Sequence, residues 1–362
     1  MGGRPGGSRA RARSAERITR LCAAAGDTRA LRLRLLPEIR AAVGFDAYAW
    51  LLTDPQTSVG CAPLADVPCL PELPRLIRLK YLTPVNRWTR LQAPVGLLRQ
   101  ATGGDLARSL LWRELLSGYG VADVASVVFR DQHGCWGFLD LWRSASSVPF
   151  TQEDAGFLAR LSPPVTRSLR EGQAAAFAPR QPDSRGRAGP VVLLLSADLE
   201  VLGETPPAQE YLRMLVPPAD GYAPVPAGAY NVAAQLLAAE AGADDNEPWA
   251  RVHLSGGLWM TLRAGRIGAA GPRAEPGGAQ PAIAVAIEES SPAERVSLFA
   301  RCYGLTARES QLLTQLAAGH DTRAIAAMMF LSEHTVQDHL KAIFAKTGSR
   351  TRRGVLARAI GG

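Results

Sequence analysis

The chain has 362 residues, enough for two or three domains that each bury their own core. An apolar fraction of 47% and a charged fraction of 20% are typical of a soluble globular protein, and no apolar run approaches the ~20 residues that span a bilayer. The net charge of +8 is concentrated at the ends, since residues 1–20 and 301–362 each carry +5 and the rest carries −2. A basic C-terminal end on a near-neutral body indicates a polyanion partner at that end.

The amino-terminal residues are basic but lack the apolar run of a signal peptide, so we expect a cytoplasmic protein that contacts no membrane. The five cysteines are scattered and form no CxxC pair. His133 and Cys135 lie two residues apart on either side of an expected turn, which favours ordinary turn and strand residues over metal ligands. We therefore predict a chain with reduced cysteines, no metal site and no cofactor.

The first half of the chain predicts a mixture of helices and strands. Residues 1–14 have little to bury and are expected to form a disordered basic tail. A helix is expected from about Ala15, and the clearest β signal is a hairpin around the turn at 131–134. The other expected elements are a helix over 28–43, a strand from Phe45 to Asp54, helices over 75–82 and around 105–115, and a helix capped by Thr151.

This order of helix, strand, hairpin and a final "PFTQEDAGFLARL" helix resembles a GAF-type sensory domain over residues 15–175. Four aromatic residues in it have two possible roles, since they could line a ligand pocket or form the core, and we favour the core. These residues are Tyr48, Trp50, Trp136 and Trp142.

Residues 176–190 are rich in Pro, Arg and Gly and predict a linker. Beyond them, "LSADLEVLGETPPAQEYL" predicts a strand, a turn, a second strand and a helix. A further helix from Tyr230, a hairpin around Gly256-Gly257 and a strand over 282–290 follow. Over residues 191–290 this order is similar to a PAS-like domain.

Residues 296–362 predict four helices with short connections. The first has a capping box and ends at a glycine, the second is short, and a tight turn leads into a longer third helix. The first helix begins at Thr306 with Glu309 and ends at Gly319, and the second begins at Asp321 or Thr322. The turn is Phe330-Leu331, and the third helix extends from Ser332 to Gly348. The fourth helix extends from about Arg352 to Ile360. A short helix, a turn and a longer amphipathic helix are the parts of a helix-turn-helix.

The third helix has two different faces. Its apolar face contains Val336, Leu340, Ile343 and Phe344, and its hydrogen-bonding face contains His334, Gln337, Asp338 and Lys341. With Ser332 as its N-cap, such a helix suits the major groove of DNA. An ordinary solvated surface helix is the alternative reading of this helix taken alone.

The run "GLTARESQLLTQLAAGHDTRAIAAMMFLSEHTVQDHLKAIFAKTGSRTRR" resembles the LuxR-type helix-turn-helix domain of bacterial transcription regulators. The resemblance implies a multidomain α+β protein, in which two α/β sensory domains (GAF-like and PAS-like) precede an all-α four-helix DNA-binding domain over 296–362. It also implies a homodimer on DNA, for which the fourth helix with Val355, Leu356 and Ala359 is the expected contact.

In that family the third helix enters the major groove. Carried over, the base-reading candidates are Gln337, Asp338, Lys341 and His334, and the phosphate candidates are Thr335, Lys346, Arg350 and Arg352. The chain departs from the commoner pattern at two of these positions, because Gln337 replaces a lysine and Asp338 is acidic. Asp338 could accept from a cytosine or orient Lys341, and we favour the orienting role. Glu309 is expected to pair within its cap or with Arg323.

These features predict a DNA-binding transcriptional regulator controlled by an unknown small molecule or protein, with RNA polymerase as a plausible partner. One alternative is a sigma-factor-like initiation protein, although the β-containing N-terminal half disfavours it. Another is a scaffold whose helix-turn-helix binds protein. We expect no enzyme, because the sequence contains no phosphate-binding Gly-rich loop, nucleophile elbow or metal cluster.

Overall fold

The computed structural model describes residues 5–24, 26–177, 191–215, 226–254, 257–268 and 282–361. For residues 5–9 and 214–215 it describes the backbone and not the side chains. Residues 178–190 of the expected linker lie outside these ranges. Within the described residues, no helix has both the length and the apolar character required to cross a lipid bilayer.

The first sheet unit, residues 5–177, contains a five-stranded antiparallel sheet in the order β2-β1-β5-β4-β3. Its strands are β1 (Ala47–Thr53), β2 (Gly60–Asp66), β3 (Val95–Leu97), β4 (Val121–Asp131) and β5 (Gly134–Ser144). Its helices are α1 (Pro5–Ala23), α2 (Thr28–Val43), α3 (Leu73–Leu82), α4 (Leu98–Ala101), α5 (Leu110–Glu114) and α6 (Gln152–Ala175). Helix α6 packs on β3, β4 and β5 and against α1 and α2. The predicted hairpin and the Thr151 cap are confirmed, the latter as a capping box with Asp154.

Two expectations for this unit need correction. Helix α1 begins at Pro5, whereas a disordered tail was expected up to residue 14. The side chain of Arg11 donates to Glu153 and Asp154 at the start of α6, a partner too distant in sequence to be anticipated. The single helix expected around residues 105–115 is instead two short pieces, since Asp105 caps a 3-10 turn and Ser109 caps α5.

The second sheet unit, residues 191–290, contains an antiparallel sheet in the order β7-β6-β10-β9-β8. Its elements are β6 (Val191–Leu195), β7 (Val201–Glu204), α7 (Ala208–Leu215), α8 (Ala227–Glu240), β8 (Trp249–His253), β9 (Trp259–Ile267) and β10 (Ala282–Glu289). The expected combination of helices and strands in both units is confirmed, and both sheets are antiparallel throughout.

The two sheet units share one continuous hydrophobic core. Helix α8 packs on β9 and β10 of its own unit and also on α3 and β2 of the first. The Tyr81 hydroxyl donates to the Asn231 side chain at 2.9 Å, within this buried contact. Arg87 forms an ion pair with Asp244 at 3.0 Å near the other end of α8. The units are therefore packed together, although the sequence suggested separate domains.

A buried ion pair lies at the centre of this contact. Arg251 on β8 donates Nε to Asp54 Oδ2 at 2.7 Å and Nη2 to Asp54 Oδ1 at 2.8 Å, and both side chains are at most 1% exposed. Burial alone would raise the pKa of Asp54, but the Arg251 guanidinium and backbone N–H donors hold it below its ordinary value. The same guanidinium donates Nη1 to the carbonyl oxygen of Glu294 at 2.7 Å.

The aromatic residues divide between core and cavity. Trp50 and Trp136 are fully buried, and Trp50 stacks on Phe129 at a centroid distance of 5.4 Å. Trp142 is also buried but lines an apolar cavity of about 250 Å³ with Phe138, between the sheet and α3. Tyr48 is half-buried and does not line that cavity. Core packing therefore describes Trp50 and Trp136, while Trp142 also forms a cavity wall.

We predict that Arg251→Met destabilises the protein by about 3 kcal/mol, because it leaves the Asp54 carboxylate buried without its cation. Thermal or denaturant unfolding at neutral pH measures this. Since the folded-state pKa of Asp54 lies below its unfolded value, the pair stabilises at neutral pH and this contribution is lost as the pH falls below about 4. The stability difference between Arg251→Met and the wild type should therefore shrink in acid.

The exposed ion pair between Arg75 and Glu72 supplies the control. Arg75→Met should change stability much less than Arg251→Met, since exposed pairs contribute little. Equal effects of the two substitutions would contradict a special role of the buried pair.

Candidate nucleic-acid interface

The tail, residues 292–361, is helical. Its helices are α9 (Pro292–Cys302), α10 (Ala307–Ala317), α11 (Thr322–Met329), α12 (Glu333–Thr347) and α13 (Arg352–Ile360). The last four were predicted and are confirmed. Helix α9 was missed, although Ser291 and Glu294 form a capping box and Pro292 occupies the first helical position. That signature was visible in the sequence.

Helix α12 is defined by its caps. The Ser332 hydroxyl accepts from the backbone N–H of Thr335 at 3.1 Å. At the other end Gly348 adopts a left-handed conformation with φ 65°, which glycine permits at low cost. Val336 and Ile343 are fully buried between these caps, so the predicted apolar face packs against α10 and α11.

The turn before α12 contains an unusual residue. Phe330 adopts a left-handed conformation with φ 55°, which is uncommon for a residue other than glycine. Its backbone N–H caps the end of α11, and its ring is 95% exposed. This tight turn sets the angle between α11 and α12.

The outer face of α12 is open to solvent. The side chains of His334 and Lys341 are 84% and 72% exposed, and Gln337 is exposed as well. Lys341 Nζ donates to Asp338 Oδ1 at 3.0 Å, while His334 Nε2 lies 3.5 Å from Asp338 Oδ2. The Lys341 ammonium lowers the pKa of Asp338, which keeps the carboxylate charged. Asp338 thus holds Lys341 in the way that the orienting hypothesis expects.

Lys346 has a partner within the chain. Its Nζ donates to Glu309 Oε2 at 2.6 Å and to the carbonyl oxygen of Gly304 at 3.3 Å. Glu309 also closes the capping box with Thr306, so its carboxylate joins the start of α10 to the end of α12. Burial acts to raise the pKa of Glu309, but Lys346 and the Thr306 N–H together lower it. The predicted pairing of Glu309 within its cap is therefore confirmed, and its ion-pair partner is Lys346 and not the alternative, Arg323.

The remaining phosphate candidates differ in whether their side chains already have hydrogen-bond partners. Arg350 is exposed and makes no hydrogen bond with any residue that the structure describes. Arg352 donates to the carbonyl oxygen of His320 at 3.1 Å and to the Thr322 hydroxyl at 3.3 Å, which fixes it beside the start of α11. The Thr335 hydroxyl lies 2.9 Å from that of Ser332.

Helix α13 packs within the chain. Val355 and Ala359 are at most 1% exposed, and α13 contacts α9 and α10. These two residues therefore belong to the core of the tail, which corrects the expectation that they form a dimer contact. Leu356 is half-buried.

The tail is attached to the carboxyl end of α6. The Tyr303 hydroxyl donates to the carbonyl oxygen of Ala174 at 2.9 Å, and Arg358 Nε donates to that of Phe177 at 3.0 Å. Ala174 lies in the last turn of α6, and Phe177 lies two residues beyond its end. These contacts leave the outer face of α12 uncovered.

Comparison with known proteins matches this geometry to a family. Residues 304–358 match bacterial regulatory proteins of the luxR family. The C-terminal domain is a luxR-type helix-turn-helix domain. The match extends from Gly304, just before α10, to Arg358 in α13, and thus includes the whole helix-turn-helix.

Two curated relatives share this domain. A probable HTH-type transcriptional regulator, GfsR of Streptomyces halstedii, is 40% identical over 57 residues, which cover 16% of this chain and 24% of the relative. The transcriptional regulatory protein YhcZ of Bacillus subtilis is 40% identical over 57 residues, covering 15% and 27%. The chain thus spans about a quarter of the length of each relative.

A solved structure of the VqmA dimer of Vibrio cholerae, described with LuxR-type receptors, is 15% identical to this chain. The match covers 48% of this chain and 82% of the VqmA chain, with a TM-score of 0.18. At that score the overall folds are not shown to be alike. The GAF-like and PAS-like assignments of the two sheet units therefore stay predictions.

We predict that Lys346→Met lowers the free energy of unfolding by about 1–3 kcal/mol, because it leaves the buried Glu309 carboxylate without its charged donor. Denaturant unfolding measures this. Lys341→Met removes the same side chain from the exposed pair on the same helix, and should leave stability unchanged. A Lys346→Met protein as stable as the wild type would show that this contact does not stabilise the tail.

Proposed function

We propose that this protein is a transcriptional regulator that binds double-stranded DNA through helix α12. The observation that carries the proposal is the open, hydrogen-bonding outer face of α12 within a luxR-type domain. Such a helix fits the width of the major groove, and the surrounding arginines provide the positive charge that phosphates require.

The residues of the interface have different roles in this proposal. Gln337 reads bases, and its amide suits the N6 and N7 edge of adenine. Lys341, which Asp338 holds in place, contacts a base or a phosphate beside Gln337. His334 contacts the groove at the start of the helix. Arg350 holds phosphate.

Three other candidates contribute in a supporting way. Thr335 and Arg352 contact phosphate near the helix ends, with Arg352 already fixed by His320 and Thr322. Lys346 contributes mainly by fixing α12 against α10, since Glu309 already holds its ammonium group.

The proposal extends to the assembly and its control. Two copies of the chain bind paired half-sites on DNA in the cytoplasm, as is usual for helix-turn-helix regulators, and RNA polymerase is the downstream partner. The two sheet units act as the GAF-like and PAS-like sensor of a small molecule or a protein. The cavities that they form and their direct packing on the tail support this role.

We predict that Gln337→Ala changes the relative affinity for different DNA sites by about tenfold, because it removes a base-specific contact. Arg350→Ala should instead weaken binding to all sites alike and reduce the dependence of affinity on salt by about one ion. Selection of sites from random duplexes, followed by titration at several salt concentrations on the selected site and on the DNA upstream of the coding sequence, measures both effects.

Gln152→Ala is the matched control for Gln337→Ala, because Gln152 is an exposed glutamine on the first sheet unit and should leave DNA binding unchanged. Unaltered site preference in Gln337→Ala would reject the base-reading role. An absent or salt-insensitive interaction of the wild-type protein with every duplex would reject the regulator itself.

A further inference from the structure

A second cavity lies where the two sheet units meet near the carboxyl end of α6. Its volume is about 300 Å³, within the range of small-molecule sites. Helix α2, strand β2 and the end of α6 form one side, while β8, β9 and the start of α8 form the other. The residues that line its walls include Arg32, Ala176, His253, Trp259 and Leu262. None of these residues is used by the DNA-binding face.

Arg32 is a buried cation in the wall of this cavity. It is 2% exposed, and its donors reach backbone carbonyl oxygens: Nε to Thr28 at 3.2 Å, and Nη1 to Trp50 at 3.0 Å and to Ala62 at 2.9 Å. Within the described residues it forms no ion pair, and its Nη2 donates to none of them. A guanidinium held in place by three carbonyls retains two N–H groups for a further acceptor.

Arg32 has no carboxylate among its described hydrogen-bond partners, although the Asp27 carboxylate at the rim acts on it from a distance. Burying an ion without an opposite charge is strongly unfavourable unless something compensates it. Burial lowers the pKa of Arg32 to about 10, which leaves it charged at neutral pH. By contrast Arg251, which lines the same cavity, is already paired with Asp54. Arg32 is thus the cation in this wall that an incoming anion would neutralise.

Other groups around the cavity favour an anion with an apolar part. Arg29 is exposed at the rim and adds positive charge, while Asp27 at the rim accepts from the backbone N–H of Ala30. His253 also faces the site, with a buried Nε2 that has no hydrogen-bond partner among the described residues. The opposite wall has an apolar part, where Trp259 and Leu262 are at most 3% exposed.

We propose that this cavity binds a small organic carboxylate, with its carboxylate on Nη2 of Arg32 and its apolar body against Trp259 and Leu262. A carboxylate oxygen can accept from Nη2 of Arg32, and a charge-assisted hydrogen bond of this kind is roughly twice as strong as a neutral one. A phosphate dianion fits less well, since it needs more donors than the single nitrogen Nη2 supplies and has no apolar part to pack on Trp259 and Leu262.

The position of the cavity connects it to the tail. Trp259 stacks on Phe177 at a centroid distance of 4.8 Å, and Phe177 packs on Phe299 of α9 at 5.3 Å. The carbonyl oxygen of Phe177 accepts from Arg358 of α13. A carboxylate bound here therefore lies two side chains away from the DNA-binding domain. Its role as the regulatory signal rests on the proposed function, whereas its binding does not.

Isothermal titration calorimetry on the full chain tests the proposal. The probes are benzoate, 4-phenylbutyrate and octanoate, each beside its neutral primary amide, up to the millimolar range. An apolar cavity of about 150 Å³ admits benzene, so this one has room for a ring and a short chain. At least one carboxylate should bind at least about tenfold more tightly than its amide, because the amide cannot neutralise Arg32.

Variants locate the binding. Arg32→Met should abolish the preference for the carboxylate, while Arg32→Lys keeps the charge and should retain part of it. Arg34→Met, an exposed arginine two residues along α2, is the matched control and should bind as the wild type does. Ala176→Trp leaves Arg32 in place but fills the cavity, so it should abolish binding even if Arg32→Met proves unstable.

The outcomes separate this site from the proposed regulator. Failure of all three carboxylates to bind, or binding that survives Ala176→Trp, would overturn the carboxylate site. A protein that binds a carboxylate but no DNA would reject the regulator and leave this site standing. A protein that binds DNA but no carboxylate would reject this site and leave the regulator standing.

Discussion

The Arg251 guanidinium connects all three parts of this protein. From β8 of the second sheet unit it holds Asp54 of the first and donates to the carbonyl of Glu294 in α9 of the tail. Since both charges are buried, each depends on the other for neutralisation, and neither can leave without a large penalty. This pair joins the two sheet units beside the cavity that Arg251 and Arg32 both line.

The tail is attached through hydrogen bonds to backbone carbonyls. The Tyr303 hydroxyl donates to the carbonyl of Ala174 in the last turn of α6, and the Arg358 guanidinium donates to that of Phe177, two residues beyond the helix. Tyr303 directly follows α9, and Arg358 lies in α13. The sheet units therefore hold the tail while the outer face of α12 stays exposed, and Phe177 lies in contact with both the cavity wall and the tail.

The elements with local signals were predictable. The caps at Thr306, Ser332 and Gly348, the hairpin at 131–134 and the 3.6-residue apolar stripe of α12 are properties of neighbouring residues, and the structure confirms them. Helix α9 has a comparable local signal in the capping box of Ser291 and Glu294, so it was predictable although it was missed. The start of α1 could not be predicted, since it depends on carboxylates more than 140 residues away.

The sequence by itself determined the helix-turn-helix and the side chains that its third helix presents, because helical periodicity places each residue on a face without reference to the rest of the chain. Only the tertiary structure decided which of those side chains are free. Lys346 and Arg352 look like phosphate ligands in sequence, but folding places Glu309, His320 and Thr322 beside them. Likewise Arg32 is one of 38 arginines in sequence. It becomes a candidate site because the packing of two sheets buries its charge without an ion-pair partner among the described residues.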